Sequence, residues 1–249
     1  LGVGLAFLSE HMDPTIRSAD DVATSLNLTL LGSVPRRKFG AKLLKDEPLL
    51  HSRYVKAFEG LADQIHVAMK QQGIRTVMLS AFSSGEGTSL VTANLGSYLA
   101  RGLGHKVLLI DANMRRPELH KLFKFPKNGG FSDVLNGKLP LGEAVYPVTE
   151  QLGVLQAGSV EKNPLMLFEA SRLSDLLRQA SETYDTVLID APNLKDYRDS
   201  EALASVAEGV VLVVEAGHAR RQAVRSLLSG LEHKKVNFLG AILNKRVFY

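Results

Sequence analysis

The sequence has 249 residues, a length that suits one large domain or two small ones. With 45% hydrophobic and 22% charged residues it is close to an average soluble globular protein, which argues against intrinsic disorder. It contains no cysteine, so disulfides, thiolate metal sites and cysteine nucleophiles are excluded. Aromatic residues make up 6%, too few to favour a stacking platform for nucleic acid, and the net charge of +4 is compatible with an ordinary solvated surface.

The chain opens with an apolar segment, residues 1–8, which lacks an initiator methionine and the charged lead-in of a signal peptide. No stretch reaches the ~20 apolar residues that a membrane-spanning helix requires. On the residues alone, two interpretations stay open. The segment is either the cytoplasmic end of a membrane helix or a buried first turn.

The first 75 residues predict a connector and entry helix, and residues 76–249 predict the main domain. A short helix is expected over residues 19–26, capped by Ser18, and a short strand over residues 29–34. Pro35-Arg36-Arg37-Lys38 begins a basic linker, and an entry helix is expected at about residues 49–69. This pattern does not indicate an independent N-terminal domain.

From residue 76 onward, short apolar runs alternate with helical patterns. The apolar runs predict strands buried on both faces, at residues 76–81, 106–111, 153–157, 185–190, 209–215 and 237–243. Longer helices are predicted over residues 89–101, 164–182 and 220–233, and shorter ones over 117–122 and 131–135. The alternation predicts an α/β fold, an open doubly wound sheet with mostly parallel strands.

A glycine-rich turn, residues 80–89, joins the first of these strands to a helix. Backbone N–H groups at such a turn and at the helix N-terminus can bind phosphate. The usual pattern is GxxxxGK[ST]; here Phe82 replaces the first glycine, Thr88 replaces the lysine, and Ser89 keeps the Mg²⁺-binding hydroxyl. On this segment alone, both a nucleotide site and a plain strand–helix turn stay open.

Two aspartates, Asp111 and Asp190, end predicted strands. Either residue alone could simply cap a helix. Two such carboxylates beside a glycine-rich loop are better explained by Mg²⁺–phosphate chemistry.

Together these segments resemble the bacterial tyrosine kinase (BY-kinase) domain of polysaccharide co-polymerases, over essentially the whole chain. Gly85-Glu86-Gly87 with Ser89 and Asn94-Leu95 is similar to the family's Walker A segment, residues 110–120 to its Walker A′ motif, and residues 188–192 to its Walker B motif. Further family-like markers are residues 130–137, Ala157-Gly158, Asn163-Pro164 and residues 239–244.

The resemblance implies a P-loop NTPase-like fold that takes ATP or ADP with Mg²⁺. It implies catalytic positions at Asp111, Asn113 and Asp190, and metal ligands at Ser89, Asp111 and Asp190. The nucleotide contacts that it implies are Ser84, Gly85, Glu86, Gly87, Thr88, Ser89, Arg115 and Asn244, the last near the adenine.

The sequence departs from the family pattern at residues that would carry out the chemistry. Thr88 stands where the family has lysine, and Asn113 stands where it has the second Walker A′ aspartate. The family's assembly motif Glu-x2-Arg-x2-Arg aligns with Lys56, Glu59 and Ala62, and the tyrosine-rich tail is reduced to Tyr249. Loss of a cation and a carboxylate predicts weak or absent nucleotide binding and still weaker phosphoryl transfer.

The leading interpretation is a degenerate BY-kinase-like domain, a pseudokinase on the cytoplasmic side of the bacterial inner membrane. It would regulate exopolysaccharide polymerisation or export as a scaffold or nucleotide sensor. The implied partners are membrane proteins of polysaccharide synthesis and export. Contact with the membrane itself is expected through a transmembrane segment preceding residue 1. Nucleic acid is not expected as a partner, and whether the full-length protein forms an oligomer stays open.

Two alternatives stay open beside it. One is an active protein-tyrosine autokinase in which Lys106, Lys245 or Arg246 supplies the charge that Thr88 lacks. The other is a ParA/MinD-like ATPase switch, although the lysine that such proteins carry early in the loop is Ser83 here.

Overall fold

The computed structural model describes residues 14–36, 43, 52–159 and 163–247. These residues form one eight-stranded sheet. Its strands are β1 (Leu30–Pro35), β2 (Thr76–Ala81), β3 (Val107–Asp111), β4 (Val145–Thr149), β5 (Leu152–Leu155), β6 (Thr186–Asp190), β7 (Gly209–Glu215) and β8 (Phe238–Arg246).

The strands lie in the order β1-β8-β7-β2-β6-β3-β5-β4. All neighbouring pairs are parallel except β4 and β5, which pair antiparallel at one edge. The predicted open, mostly parallel α/β sheet is therefore confirmed. Strand β4 was not predicted from the sequence, because it is largely half-exposed and carries Pro147, a residue that sheets accept at an edge.

Helices cover both faces of this sheet. They are α1 (Arg53–Gln72), α2 (Thr88–Gly102), α3 (Leu119–Leu122), α4 (Phe131–Leu135), α5 (Leu141–Ala144), α6 (Ala170–Thr183), α7 (Arg198–Ala204) and α8 (Arg221–Glu232). A π-helical turn occupies Asp21–Ser25. The helix expected over residues 164–182 is divided into a 3₁₀ turn, Pro164–Leu167, and α6, because Phe168 and Glu169 between them are not helical.

The core consists of two apolar layers, one on each face of the sheet. Successive strand residues alternate between them, as Leu108 and Leu109 do, because side chains of a strand point to opposite faces. Helices α1, α2 and α3 contribute to the layer of Leu109, whereas α4 to α8 contribute to the layer of Leu108. Gly96 lets α2 pack closely, since a Cβ there would lie 2.4 Å from a Leu109 methyl group.

The described part of residues 1–75 shares this core. Strand β1 pairs in parallel with β8, and Ile16 and Val22 are fully buried in the layer of Leu108. As expected, Ser18 caps the first helical turn: its hydroxyl accepts from the Asp21 N–H at 3.1 Å, and the Asp21 carboxylate accepts from the Ser18 N–H at 3.0 Å.

Some expectations concern residues outside the described ranges. These are the apolar opening segment, most of the basic linker, the start of the predicted entry helix and Tyr249. Among the described helices, none combines the length and the hydropathy needed to cross a bilayer.

Candidate functional site

A cavity of about 390 Å³ lies at the carboxyl ends of β2, β3 and β6, where ligands bind in doubly wound sheets. Its volume is within the range typical of small-molecule sites. The residues that line it are Ala81, Ser83, Ser84, Gly85, Glu86, Gly87, Thr88, Ser89, Leu90, Asn113, Arg116, Glu118, Leu122, Ala191, Asn193 and Tyr197.

The glycine-rich turn wraps one side of this cavity. Gly85 and Gly87 have φ of 86° and 89°, a left-handed conformation that L side chains rarely adopt. At Gly87 a Cβ would also lie 2.6 Å from the Asn244 Nδ2 atom. Helix α2 begins directly after Gly87, and no described side chain caps its N-terminus. The first N–H groups of α2 are therefore available to an anion.

Glu86 stabilises the turn from within. Its buried carboxylate accepts from the Ser83 N–H at 2.9 Å and the Ser83 hydroxyl at 2.7 Å, and its other oxygen accepts from the Glu215 N–H at 2.9 Å. Burial raises the pKa of Glu86, while the hydrogen bonds from Ser83 and Glu215 oppose that rise. The Glu86 carboxylate therefore stabilises the loop, while Glu86, implied as a nucleotide contact, also lines the cavity.

Strand β8 holds the same turn from outside. The Asn244 amide donates to the Glu86 carbonyl at 2.7 Å, and Lys245 Nζ donates to the Gly85 carbonyl at 2.7 Å. Asn244 is the residue expected near the adenine, and in the structure its amide nitrogen is hydrogen-bonded to the loop backbone. Lys245 also forms a 2.7 Å ion pair with Glu215.

Lys106 and Arg246 were also suggested as sources of the charge that Thr88 lacks, and neither is seen at the loop among the described side chains. Lys106 precedes β3 at its amino end, with Nζ 5.5 Å from the centre of the Tyr184 ring, at the opposite end of the strand from Asp111. The side chain of Arg246 lies outside the described part of the structure. Lys245 is therefore the one that the structure places at the loop.

Asp111 and Asp190 are opposite each other in the register of β3 and β6, and both are fully buried. The Asp111 carboxylate accepts the N–H groups of Asn113, Glu118 and Leu119 at 3.2, 3.0 and 3.0 Å, so it does cap α3. Neither Asp190 oxygen has a hydrogen-bond partner of acceptable geometry among the described residues.

Burial is the main electrostatic influence on both carboxyls. It raises the pKa of Asp111 to about 7 against the lowering effect of the three N–H groups. Burial and, next, the neighbouring Asp111 raise the pKa of Asp190, while the nearby Ser89 hydroxyl lowers it. Two buried carboxyls of this kind require a shared proton or a cation.

These residues fit a magnesium ion. Asp190 has unpartnered oxygens, Asp111 is adjacent, and Ser89 supplies a hydroxyl at the cavity wall. No cluster of three or more histidine and acidic side chains suited to a metal occurs in the described ranges. A few protein oxygens, completed by water and phosphate, are the usual ligands of Mg²⁺ beside a nucleotide.

The two arginines of the Walker A′ segment lie in different places. Arg115, implied as a nucleotide contact, forms a 2.6 Å ion pair with buried Asp199 and stacks 4.9 Å from the centre of the Tyr197 ring, outside the cavity lining. Arg116, which the sequence analysis did not single out, lines the cavity and donates from Nη1 to the Ser84 hydroxyl at 3.1 Å.

Ser84 and Thr88, implied as nucleotide contacts, and Asn113, implied as a catalytic position, all line the cavity. Three further residues that were not predicted from the sequence also line it, namely Glu118, Asn193 and Tyr197. Glu118 stands inside the Walker A′-like segment and Asn193 directly follows the Walker B-like one, so adjacency to a motif was the available signal.

Comparison with known proteins agrees with this geometry. The family model of the cellulose biosynthesis protein BcsQ matches residues 74–235. Tyrosine-protein kinase YwqD of Bacillus subtilis is 32% identical over 188 residues, which are 75% of this chain and 79% of YwqD. The chain belongs to the BY-kinase family.

Two further BY-kinase comparisons extend over nearly the whole chain. The kinase domain of Escherichia coli tyrosine kinase ETK superposes with a TM-score of 0.84 and 25% identity, covering 94% of this chain and 97% of that domain. The putative tyrosine-protein kinase EpsB of Ralstonia solanacearum is 29% identical over 98% of this chain, which spans only 34% of EpsB.

The similarity reaches the wider group of P-loop ATPases with a smaller overlap. The septum site-determining protein MinD of Pyrococcus horikoshii, solved with Mg-ADP, has a TM-score of 0.59 and 25% identity over 68% of this chain and 70% of that one. The fold is thus P-loop NTPase-like, and the structural similarity to a BY-kinase domain covers more of the chain than the similarity to MinD does.

Proposed function

We propose that this BY-kinase-like domain is a pseudokinase that binds nucleotide weakly and acts as a nucleotide sensor or scaffold. The observation that carries the proposal is an ordered phosphate loop whose lysine position holds Thr88 and whose second Walker A′ acid is Asn113. Both residues line the cavity, so their substitution changes its charge directly.

The residues of the loop support binding of phosphate without the lysine. The backbone around Gly85 and Gly87 and the uncapped start of α2 would receive the phosphates. Ser89, Asp111 and Asp190 would hold Mg²⁺, which when bound neutralises phosphate charge. Since Thr88 can donate only a neutral hydrogen bond, we expect an affinity for ATP weaker than micromolar.

Asn113 limits the chemistry further. An amide oxygen can accept a hydrogen bond, but an amide cannot take a proton from a tyrosine hydroxyl as a carboxylate can. Here the Asn113 side-chain oxygen accepts the Arg116 N–H at 3.2 Å. We therefore expect phosphoryl transfer to be reduced more strongly than binding.

The biological setting we propose is exopolysaccharide polymerisation or export. The matching family model is that of a cellulose biosynthesis protein, and EpsB is about three times as long as this chain. We infer that the domain works at the cytoplasmic side of the bacterial inner membrane, as part of a longer membrane protein with polysaccharide synthesis and export proteins as partners.

An active autokinase is the second candidate, and one observation favours it. Lys245 Nζ donates to the Gly85 carbonyl at 2.7 Å, so a cation stands beside the loop whose lysine position holds Thr88. A ParA/MinD-like switch has less support, because Ser83 occupies the position of the lysine found early in such loops and the MinD overlap is shorter.

The test compares ATP binding with tyrosine phosphorylation in the full-length gene product. We expect Mg-dependent ATP binding by calorimetry, weaker than micromolar, with no phosphotyrosine on immunoblots after incubation with ATP and Mg²⁺. Phosphotyrosine that disappears in Asp111→Asn would establish the autokinase instead. A chain that binds no ATP up to millimolar concentration would refute the sensor proposal and leave the scaffold role.

A further inference from the structure

We infer that Arg116 is a phosphate-binding residue of this cavity and takes over part of the role of the lysine that Thr88 replaces. The inference rests on the nucleotide-binding proposal above and names the side chain that makes it work. Its basis is the placement of Arg116 in the lining of the cavity, where its guanidinium already donates to the hydroxyl of the loop residue Ser84 at 3.1 Å.

Three of the cations near the loop, Arg115, Arg116 and Lys245, differ in their partners. Arg115 is paired with Asp199 at 2.6 Å, and Lys245 is paired with Glu215 at 2.7 Å. Arg116 has no carboxylate within ion-pairing distance among the described residues, and it alone of the three lines the cavity. An anion entering the cavity therefore meets its charge without first breaking an ion pair.

The backbone of Arg116 is fixed in a way that suits this role. Its N–H lies 3.1 Å from the Asn113 carbonyl and 3.2 Å from the Asn113 side-chain oxygen, which form a tight turn between β3 and α3. The side chain thus projects from an ordered turn, and Arg116 is exposed and so accessible to a phosphate.

Asn113 contributes to this arrangement. Its side-chain oxygen accepts the Arg116 N–H and so holds the turn from which Arg116 projects. An arginine presents a planar fork of donors that matches phosphate oxygens in pairs. The ligand class that follows is a nucleoside di- or triphosphate whose phosphate chain lies between the loop and Arg116.

The test measures Mg-ATP binding to the folded domain by NMR titration and calorimetry, with the parent, Arg116→Gln, Arg116→Lys and Arg178→Gln. Arg178 is the matched control, because it is an exposed arginine on α6 whose replacement changes the net charge equally and which lies outside the cavity. Thermal unfolding of each variant establishes that it is folded.

We expect Arg116→Gln to weaken ATP binding at least about tenfold, as loss of a charge-assisted contact does, and Arg116→Lys to weaken it less. Arg178→Gln should bind as the parent does. The salt dependence of ATP binding should also become shallower in Arg116→Gln, which a purely structural role would not cause.

Two contrary results are distinguishable. If the parent binds ATP and folded Arg116→Gln binds it equally well, the role of Arg116 is refuted while the nucleotide proposal stands. If the parent itself binds no ATP at millimolar concentration, the nucleotide-binding proposal fails, and the role of Arg116 fails with it.

Discussion

Asp111 and Asp190 lie opposite each other on adjacent parallel strands, with both carboxyls fully buried and the Asp190 oxygens unpartnered among the described residues. Burial raises the pKa of both groups, and the charge of Asp111 further disfavours ionisation of Asp190. In the metal-free protein the pair therefore retains a proton at pH values where an exposed aspartate has lost it.

The first prediction concerns stability against pH. Because the pKa of Asp111 rises to about 7 on folding, the folded chain binds more protons than the unfolded chain between about pH 4 and 7. The free energy of unfolding contributed by the pair therefore falls as pH rises through this window. We expect Asp190→Asn to reduce this fall and to be more stable than the parent at pH 8, measured by thermal unfolding with a chelator present.

Magnesium provides the control for this prediction. At pH 8, Mg²⁺ should raise the Tm of the parent, because it replaces the shared proton, and should do so less at pH 5, where the proton competes. Asp190→Asn should lose most of this response. Parallel stability curves for parent and variant across this pH range would show that the two carboxyls do not interact.

The second prediction concerns recovery of the nucleotide site. Thr88→Lys restores a cation at the start of α2, and Asn113→Asp restores a carboxylate near Asp111. Since both act on the same phosphates, their effects should be non-additive, with the largest gain of ATP affinity in the double variant. Calorimetry with Mg-ATP measures it. A double variant that binds no better than the parent would indicate that the family resemblance concerns the fold alone.

The third prediction uses a close backbone contact at Gly130. A Cβ at this position would lie 2.2 Å from the Gln156 carbonyl oxygen and 2.6 Å from the Gly158 nitrogen, so the backbone itself would have to move. We expect Gly130→Ala to lower the free energy of unfolding by roughly 1–3 kcal/mol, measured by urea denaturation. Gly142→Ala in α5 is the matched control, because nothing lies within 4 Å of its Cβ position, and it should change stability little.

The fourth prediction concerns assembly through α1. Lys56, Glu59 and Ala62 replace the family's charge motif, and Ala62 is fully buried in the core. The Glu59 carboxylate lies beside the Tyr98 hydroxyl, whose pKa is raised by burial and by Glu59. We expect monomers or dimers of the isolated domain in light scattering. A stable octamer would show that a ring forms without the motif.

The core strands could be predicted because their apolar runs are uninterrupted, and β2 and β7 have the predicted bounds. The edge strand β4 could not, because its half-exposed residues and Pro147 give no apolar run. Helix α7 was missed for a related reason: it is seven residues long and follows Asn193, whose side-chain oxygen accepts the Asp196 N–H in a turn. Short elements of this kind depend on tertiary contacts more than on pattern.

The candidate site was predicted in its motifs but not in its side-chain directions. The resemblance implied Arg115 and not Arg116 as a nucleotide contact, yet Arg115 pairs with Asp199 and Arg116 lines the cavity. The buried partner decides this: Asp199 is nearly inaccessible to water, so it binds an arginine wherever the fold brings one close. The commitment of Asn244 to the loop likewise depends on the pairing of β7 with β8, which local sequence does not encode.

The contacts that hold the phosphate loop come from residues about 130 to 160 positions later in the chain, since Glu86 binds the Glu215 N–H and its carbonyl binds Asn244. During synthesis on the ribosome, the loop and α2 emerge long before β8 is translated. The phosphate loop can therefore reach its final form only after β8 has joined the sheet. Such distant contacts are slow to form, so the nucleotide affinity proposed above would appear late in folding and would report that the sheet is complete.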